Sequence, residues 1–175
     1  MEIKDTPLQD CKVIHLDKHG DDRGFFLESY NQNSLEALGL GFEVKQVNFA
    51  KSGKNVLRGL HYQVEPYAQS KIVGAISGAV LDVVVDLRQN STTYLKHFKL
   101  KIDNPETLLL VPRGFAHGYL TLEENTIFHY AVDNFYSAEH EKGVRYNDPI
   151  LKIDWEYDES PLISEKDLNQ PYLNI

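Results

Sequence analysis

From Phe42 to Val132 the chain alternates between short runs of aliphatic, β-branched and aromatic residues and polar clusters carrying Gly, Asn, Asp or Pro. The runs predict strands over 42–50, 55–63, 71–77, 79–87, 95–102, 107–111, 118–122 and 126–132. Turn signals separate them at Ser52-Gly53-Lys54-Asn55, Ser77-Gly78, Asn90-Ser91, Asp103-Asn104-Pro105 and Glu123-Glu124-Asn125. Strands this short, returning about every ten residues, predict an antiparallel sandwich or barrel. Upstream, Asp21-Asp22-Arg23-Gly24 reads as a turn and 25–30 as a short aromatic-rich strand. One short helix is expected over 33–38, with Asn33 or Ser34 as N-cap and Gly39 and Gly41 as its stop. Past Asp133 the alternation is lost. A helical turn is expected over 164–169, in a tail that wraps the strands and closes part of the fold.

One stretch breaks its own pattern. Val56, Leu57, Leu60 and Tyr62 are strand formers, yet Arg58 and His61 sit among them with Gly59 between. Residues three apart on an ideal strand face opposite ways, so a bulge at Gly59 would be needed to bring Arg58 and His61 to one side. Taken alone, the stretch reads more readily as a barrel-edge strand with a solvated arginine and a hydrogen-bonded histidine, and the rest of the chain reverses that preference. Asp82 and Asp86 raise the same question on Leu81-Asp82-Val83-Val84-Val85-Asp86, because a strand interior rarely tolerates two acids without partners. They are expected to be structural or to support a site.

Length and composition narrow the classes. A chain of 175 residues, 42% hydrophobic and 25% charged, is expected to form one domain over 1–175 with a real core. Its net charge of −8 argues against nucleic acid or an anionic membrane as partner; a polyanionic substrate would need a local cationic pocket. Cys11 is the single cysteine and excludes an internal disulfide, which fits a reducing cytoplasm. MEIKDTPLQD has no apolar stretch of signal-peptide type, and no apolar run reaches membrane-spanning length. The expectation is a cytoplasmic protein.

Candidate chemistry centres on Pro112-Arg113-Gly114-Phe115-Ala116-His117-Gly118, a tight turn with a histidine opening the next strand. The spacing P-x-G-x-x-H is the second signature of cupin barrels, whose strands enclose room for one small ligand. A metal cupin also needs a His-x-His pair in its first motif, and the position two after His61 is Gln63. His15, His97, His129 and His140 form no ligand spacing, and Glu65 beside a glutamine makes a poor first-row site, so no metal is expected. Histidine, lysine, arginine and tyrosine in a barrel without metal point instead to proton transfer next to a ketone. Such a reaction needs a base, an opposed acid and a cation or donor for the enolate oxygen, and Lys71 is a candidate for the last.

DDRGFFLESYN at 21–31, NVLRGLHYQ at 55–63, AQSKIV at 68–73, DVVVDLR at 82–88, PRGFAHGY at 112–119 and the segment 130–148 together resemble the dTDP-4-dehydrorhamnose 3,5-epimerase family. The resemblance implies a mainly β, cupin-like jelly-roll barrel with a few short helices, a homodimer, no cofactor and no metal. The implied substrate is a dTDP-4-keto-6-deoxyhexose, inverted at C3 and C5. By residue matching, His61 is the implied base, Asp167 the carboxylate that orients it, Tyr130 the opposed acid and Lys71 the enolate-stabilising cation. His117 matches a sugar-binding position, and Arg23, Glu28, Gln46, Asn48, Arg58, Glu141 and Lys166 match nucleotide- or sugar-contacting ones. Tyr136 matches the aromatic that stacks on the nucleotide base. The chain departs from the pattern at Ala131, often lysine, and at Gly74, usually arginine; both changes are expected to bear on sugar placement. Single-centre epimerases and 3,4-ketoisomerases occur in the wider family, and a sugar-nucleotide-binding cupin without turnover is the reading from another class.

Overall fold

The computed structural model describes residues 1–174. In chain order the elements are β1 (Glu2–Asp5), β2 (Lys12–His15), β3 (Lys18–Asp21), β4 (Gly24–Leu27), α1 (Gln32–Ala37), β5 (Gln46–Ser52), β6 (Val56–Gln63), β7 (Lys71–Ser77), β8 (Val80–Asp86), β9 (His97–Ile102), β10 (Thr107–Val111), β11 (Phe115–Thr121), β12 (Thr126–Val132), β13 (Glu141–Gly143), β14 (Leu162–Ile163) and α2 (Glu165–Leu168). One six-stranded sheet runs β1-β2-β10-β7-β12-β5. The other runs β13-β6-β11-β8-β9, with β14 added in parallel to β6. The hairpin β3–β4 stands apart as a two-stranded sheet. The expected jelly roll is therefore built as two sheets packed face to face, and no closed barrel of strands forms among the described residues.

Period two decides which residues meet between the sheets. Val73, Ala75, Leu109, Val111 and Phe128 of the first sheet pack against Val80, Val84, Ile102, Phe115 and Tyr119 of the second. The alternate residues face outward into two further cores. Leu81, Val83, Val85, Ala116 and Leu120 lie under Val144, Leu151 and Trp155 of the C-terminal segment. Ile72, Leu108, Leu110 and Ala131 lie under Leu35 of α1 and Phe42. Strands buried on both faces read as continuous apolar text, which is why β8 and β11 show no polar face. Asp82 and Asp86 fall on the inner face of β8, beside Val80 and Val84. Asp86 is stabilised structurally: burial disfavours its charge, but hydrogen bonds from Arg88, Ser91 and Thr93 outweigh that and bring its pKa down to about 2.

Several expectations need correction. The strand expected from Phe42 begins at Gln46, because Phe42 is committed to the core under α1. The strand expected from Gly118 begins at Phe115, so His117 lies inside β11 instead of opening it. The helix begins earlier than expected: Asn31 is the N-cap, its side-chain oxygen accepting from the Ser34 N–H at 3.1 Å. The N-terminal strands β1 and β2, the first hairpin strand β3 and the short β13 and β14 were not anticipated.

Candidate active site

The site begins with a misfit between β6 and β11. His61 pairs with His117 and Arg58 with Tyr119, so three steps along β6 match two along β11. Gly59 takes up the difference at φ +116°, and a Cβ there would stand 2.5 Å from the Cα of Gly118. Glycine is thus required twice over, for its dihedral and for the contact between strands. The bulge turns Arg58 and His61 to the same side, where both line a cavity of about 330 Å³ between the sheets.

The first sheet contributes Lys71 from β7 and Phe128 and Tyr130 from β12. The second contributes Arg58, His61, His117 and Tyr119, while Asp167 and Lys166 arrive from α2. The tail reaches the cavity because β14 pairs with Val56 and Leu57 of β6, after which Ser164 caps α2 by accepting from the Asp167 N–H at 3.1 Å. Asp167 then meets His61, with Nε2 and Oδ1 2.6 Å apart, while its Oδ2 accepts from the Gly59 N–H at 3.2 Å. Burial opposes charge on Asp167, but His61, the Gly59 N–H and Ser164 hold its carboxyl below the usual range. An Asp167 carboxylate on Nε2–H leaves Nδ1 of His61 with the free lone pair.

A second pair lies beneath. His117 Nε2 sits 2.9 and 3.1 Å from the two oxygens of the fully buried Asp82. Both imidazoles are thereby tied through Nε2 to carboxylates, and among the described residues no three His, Cys, Asp or Glu side chains gather as metal ligands.

Two cations complete the wall. Burial lowers the Lys71 pKa to about 8, against the upward pull of Glu141 and Asp82. Among the described residues the Arg58 side chain donates only to the Ser52 hydroxyl, at 3.1 and 3.3 Å. Neither forms an ion pair among the described residues. Burial raises the Tyr130 pKa, assisted by Glu141 and opposed by Arg58, so the phenol keeps its proton at neutral pH. At the rim the Tyr136 hydroxyl donates to Glu141 at 2.9 Å, and Glu141 pairs with Lys166.

Of the residues implied by resemblance, His61, Tyr130, Asp167, Lys71, Arg58, His117, Tyr136, Glu141 and Lys166 all line this one cavity. Gln46 and Asn48 do not line it, but they share a face of β5 with Ala50, which does; the Gln46 side-chain oxygen also accepts from the Tyr136 N–H at 3.3 Å. Arg23 and Glu28 are not brought in, for they line separate surface hollows at the β3–β4 hairpin and beside Met1. Ala131 and Gly74 also point away from the cavity: Ala131 packs in the core under α1, and Gly74 abuts Leu108. Neither departure touches the cavity from within this chain.

Residue reasoning missed Tyr119 and Phe128, whose rings stack at 3.9 Å in the cavity wall, and Gln69. Placing the start of β11 at Phe115 would have put Tyr119 on the same face as His117. Gln63, in the position of a missing metal ligand, instead accepts from the Ser137 N–H at 2.6 Å and donates to the Tyr67 and Phe135 carbonyls. It anchors the loop that carries Tyr136.

Comparison with known proteins identifies the family of the chain. The family model described as dTDP-4-dehydrorhamnose 3,5-epimerase matches residues 5–174. The dTDP-4-dehydrorhamnose 3,5-epimerase of Pseudomonas aeruginosa is 47% identical over 170 residues, covering 95% of this chain and 90% of that protein. The crystal structure of the Bacillus anthracis enzyme of the same name, with TDP and PPi bound, superposes with a TM-score of 0.94 at 42% identity, covering 98% of this chain and 99% of that one. A Legionella pneumophila dTDP-6-deoxy-D-glucose-3,5-epimerase in complex with dTDP-4-keto-L-rhamnose gives a TM-score of 0.93 at 36% identity, over 98% of this chain and 92% of that one. This chain belongs to the dTDP-4-dehydrorhamnose 3,5-epimerase family.

Proposed function

We propose that the protein is an epimerase that inverts C3 and C5 of dTDP-4-keto-6-deoxyglucose by enolisation next to the C4 ketone. The observation that carries this reading is one cavity lined by an oriented histidine, a protonated tyrosine and two cations that form no ion pair among the described residues. His61 Nδ1 removes the proton beside the ketone, and Asp167 holds the resulting imidazolium in place. The electron pair moves onto the C4 oxygen, where the Lys71 ammonium stabilises the enolate. Tyr130 returns a proton to the opposite face of the same carbon, and solvent later reprotonates its phenolate. Return from the original face would leave the sugar unchanged, so two separate groups are required. Ring inversion or rebinding then presents the second carbon to the same pair.

Arg58 provides positive charge for the diphosphate of an otherwise acidic protein, and Tyr136 offers a ring at the rim for the nucleotide base. No organic cofactor or metal enters this scheme. We infer a homodimer, supported by the exposure of Phe25 (56%), Phe26 (67%) and Phe49 (64%) around the β3–β4 hairpin. A dimer covering these rings would account for Arg23 and Glu28 by carrying them toward the second copy. The whole chain acts as one domain, and the free, buried Cys11 fits a cytoplasmic enzyme. The helices are too short and polar to cross a membrane among the described residues.

Proton NMR of dTDP-4-keto-6-deoxyglucose with enzyme in D2O, without added metal, tests the reading. Deuterium at both C3 and C5 is the expected result. Exchange at one carbon would make the enzyme a single-centre epimerase, and migration of the ketone a 3,4-ketoisomerase. Saturable binding without exchange would make it a sugar-nucleotide-binding protein.

A further inference from the structure

The inner wall of the cavity holds a polar group that the mechanism above leaves unused. Tyr119 points inward from β11, lines the cavity and stacks on Phe128 with ring centroids 3.9 Å apart. It is 5% exposed, and its hydroxyl is buried without a hydrogen-bond partner among the described residues. A phenylalanine would supply the same ring packing without that cost. A buried hydroxyl left unpaired is unfavourable, and native proteins rarely keep one unless something outside the protein scaffold satisfies it.

The surroundings say what that partner is. In register Tyr119 faces Arg58 on one side and Asp82 on the other, and its nearest inward neighbour on β11 is His117. Burial, outweighing Arg58 and reinforced by Tyr130 and Asp82, raises its pKa to about 12, so the hydroxyl stays a neutral donor and acceptor. The Tyr119 ring lies against Phe128 and 6.4 Å from the His117 ring, and Phe128 in turn lies 6.3 Å from the Tyr130 ring, which sets Tyr119 beside the groups that the proposed reaction places against the sugar. We propose that the Tyr119 hydroxyl is a substrate-contacting group that hydrogen-bonds an oxygen of the hexose ring, and so selects sugars carrying an oxygen at that position. The proposal rests on the reading of the cavity as a nucleotide-sugar site. It adds a specificity contact that no step of the proton transfer requires. A site that pairs a buried polar group with a substrate oxygen discriminates strongly, because the wrong ligand leaves the group unpaired.

Tyr119→Phe removes one oxygen and keeps the ring. Calorimetric binding to wild-type and variant is measured with two ligands, dTDP and dTDP-6-deoxyglucose, the latter lacking the ketone and therefore unreactive. The expected result is an unchanged Kd for dTDP and a Kd for dTDP-6-deoxyglucose weakened on the order of tenfold. A thermal melt of the free proteins should show the variant at least as stable as wild-type, which separates a ligand contact from a fold contact. Equal Kd values for both proteins with both ligands would overturn the proposal, as would equal weakening with both. These outcomes are independent of turnover. Absence of deuterium exchange by the wild-type enzyme would defeat the epimerase reading while leaving the binding comparison intact.

Discussion

The cavity contains two histidine–aspartate pairs that differ in how the fold makes them. His117 and Asp82 sit on adjacent strands of one sheet, with side chains 8% and 0% exposed. His61 and Asp167 are 106 residues apart, one on a bulged strand and the other on a helix delivered by the tail, and the His61 side chain is 27% exposed. The first pair is made within one sheet, between strands that hydrogen-bond each other directly. The second exists only when β14 and α2 dock, and its imidazole opens to the cavity. A reactive base must reach substrate, whereas a supporting histidine must hold its place. On the proposed reading the same two side-chain types serve different ends, according to exposure and to the element supplying the carboxylate.

Mutation should separate the pairs. The largest effect is expected from His61→Asn, which removes the proposed base: turnover should fall by about 10²–10⁴-fold with an unchanged melting temperature. Near-wild-type turnover in a solvent-exchange assay would refute the assignment. Asp167→Asn should cost less, on the order of 10–10²-fold in kcat, because it disturbs the tautomer and orientation without removing the base. Asp82→Asn should show the reverse balance, with roughly 1–3 kcal/mol of stability lost in denaturant unfolding from a buried acceptor and a smaller fall in kcat than for Asp167→Asn. If Asp82→Asn melts like wild-type and loses more activity than Asp167→Asn, the distinction between a scaffold pair and a reactive pair is wrong.

The smallest effect sharpens the comparison from the opposite wall. Burial lowers the Lys71 pKa to about 8, so its ammonium loses its proton as pH rises through that value. The rate should then decline above about pH 8, while Tyr130, raised above its ordinary value, remains protonated. Lys71→Arg keeps the charge at alkaline pH. The alkaline fall in a kcat/KM profile should move upward in that variant, and a fall that stays near pH 8 would assign it to another group.

Much of the fold was legible because strand periodicity is local. The runs over 71–77, 107–111 and 126–132 became β7, β10 and β12 with unchanged ends, since turns and alternating burial act within a few residues. The bulge at Gly59 was also legible, as a glycine between two polar residues that otherwise had to face apart. Less readable were β1 and β2, whose Glu2–Asp5 and Lys12–His15 are mixed and become strands only by pairing with each other and with β10. The boundary of β11 was misread because the Pro-x-Gly turn ends sooner than its spacing suggested: Phe115 already donates its N–H back to Pro112.

For the site, residue type and spacing marked His61, His117 and Lys71 as chemical candidates, and family resemblance supplied roles for Asp167 and Tyr130. Local pattern determines which residues alternate inward, which turns form and where a bulge is needed, because those depend on dihedrals and burial over a few positions. Only the tertiary structure decided that Asp82 belongs to His117 and Asp167 to His61, that Arg23 and Glu28 stand outside their own cavity, and that Ala131 and Gly74 face away from it. Each of those outcomes depends on which strands become neighbours and on where a distant tail docks, and such long-range packing is not written in any single stretch of the chain.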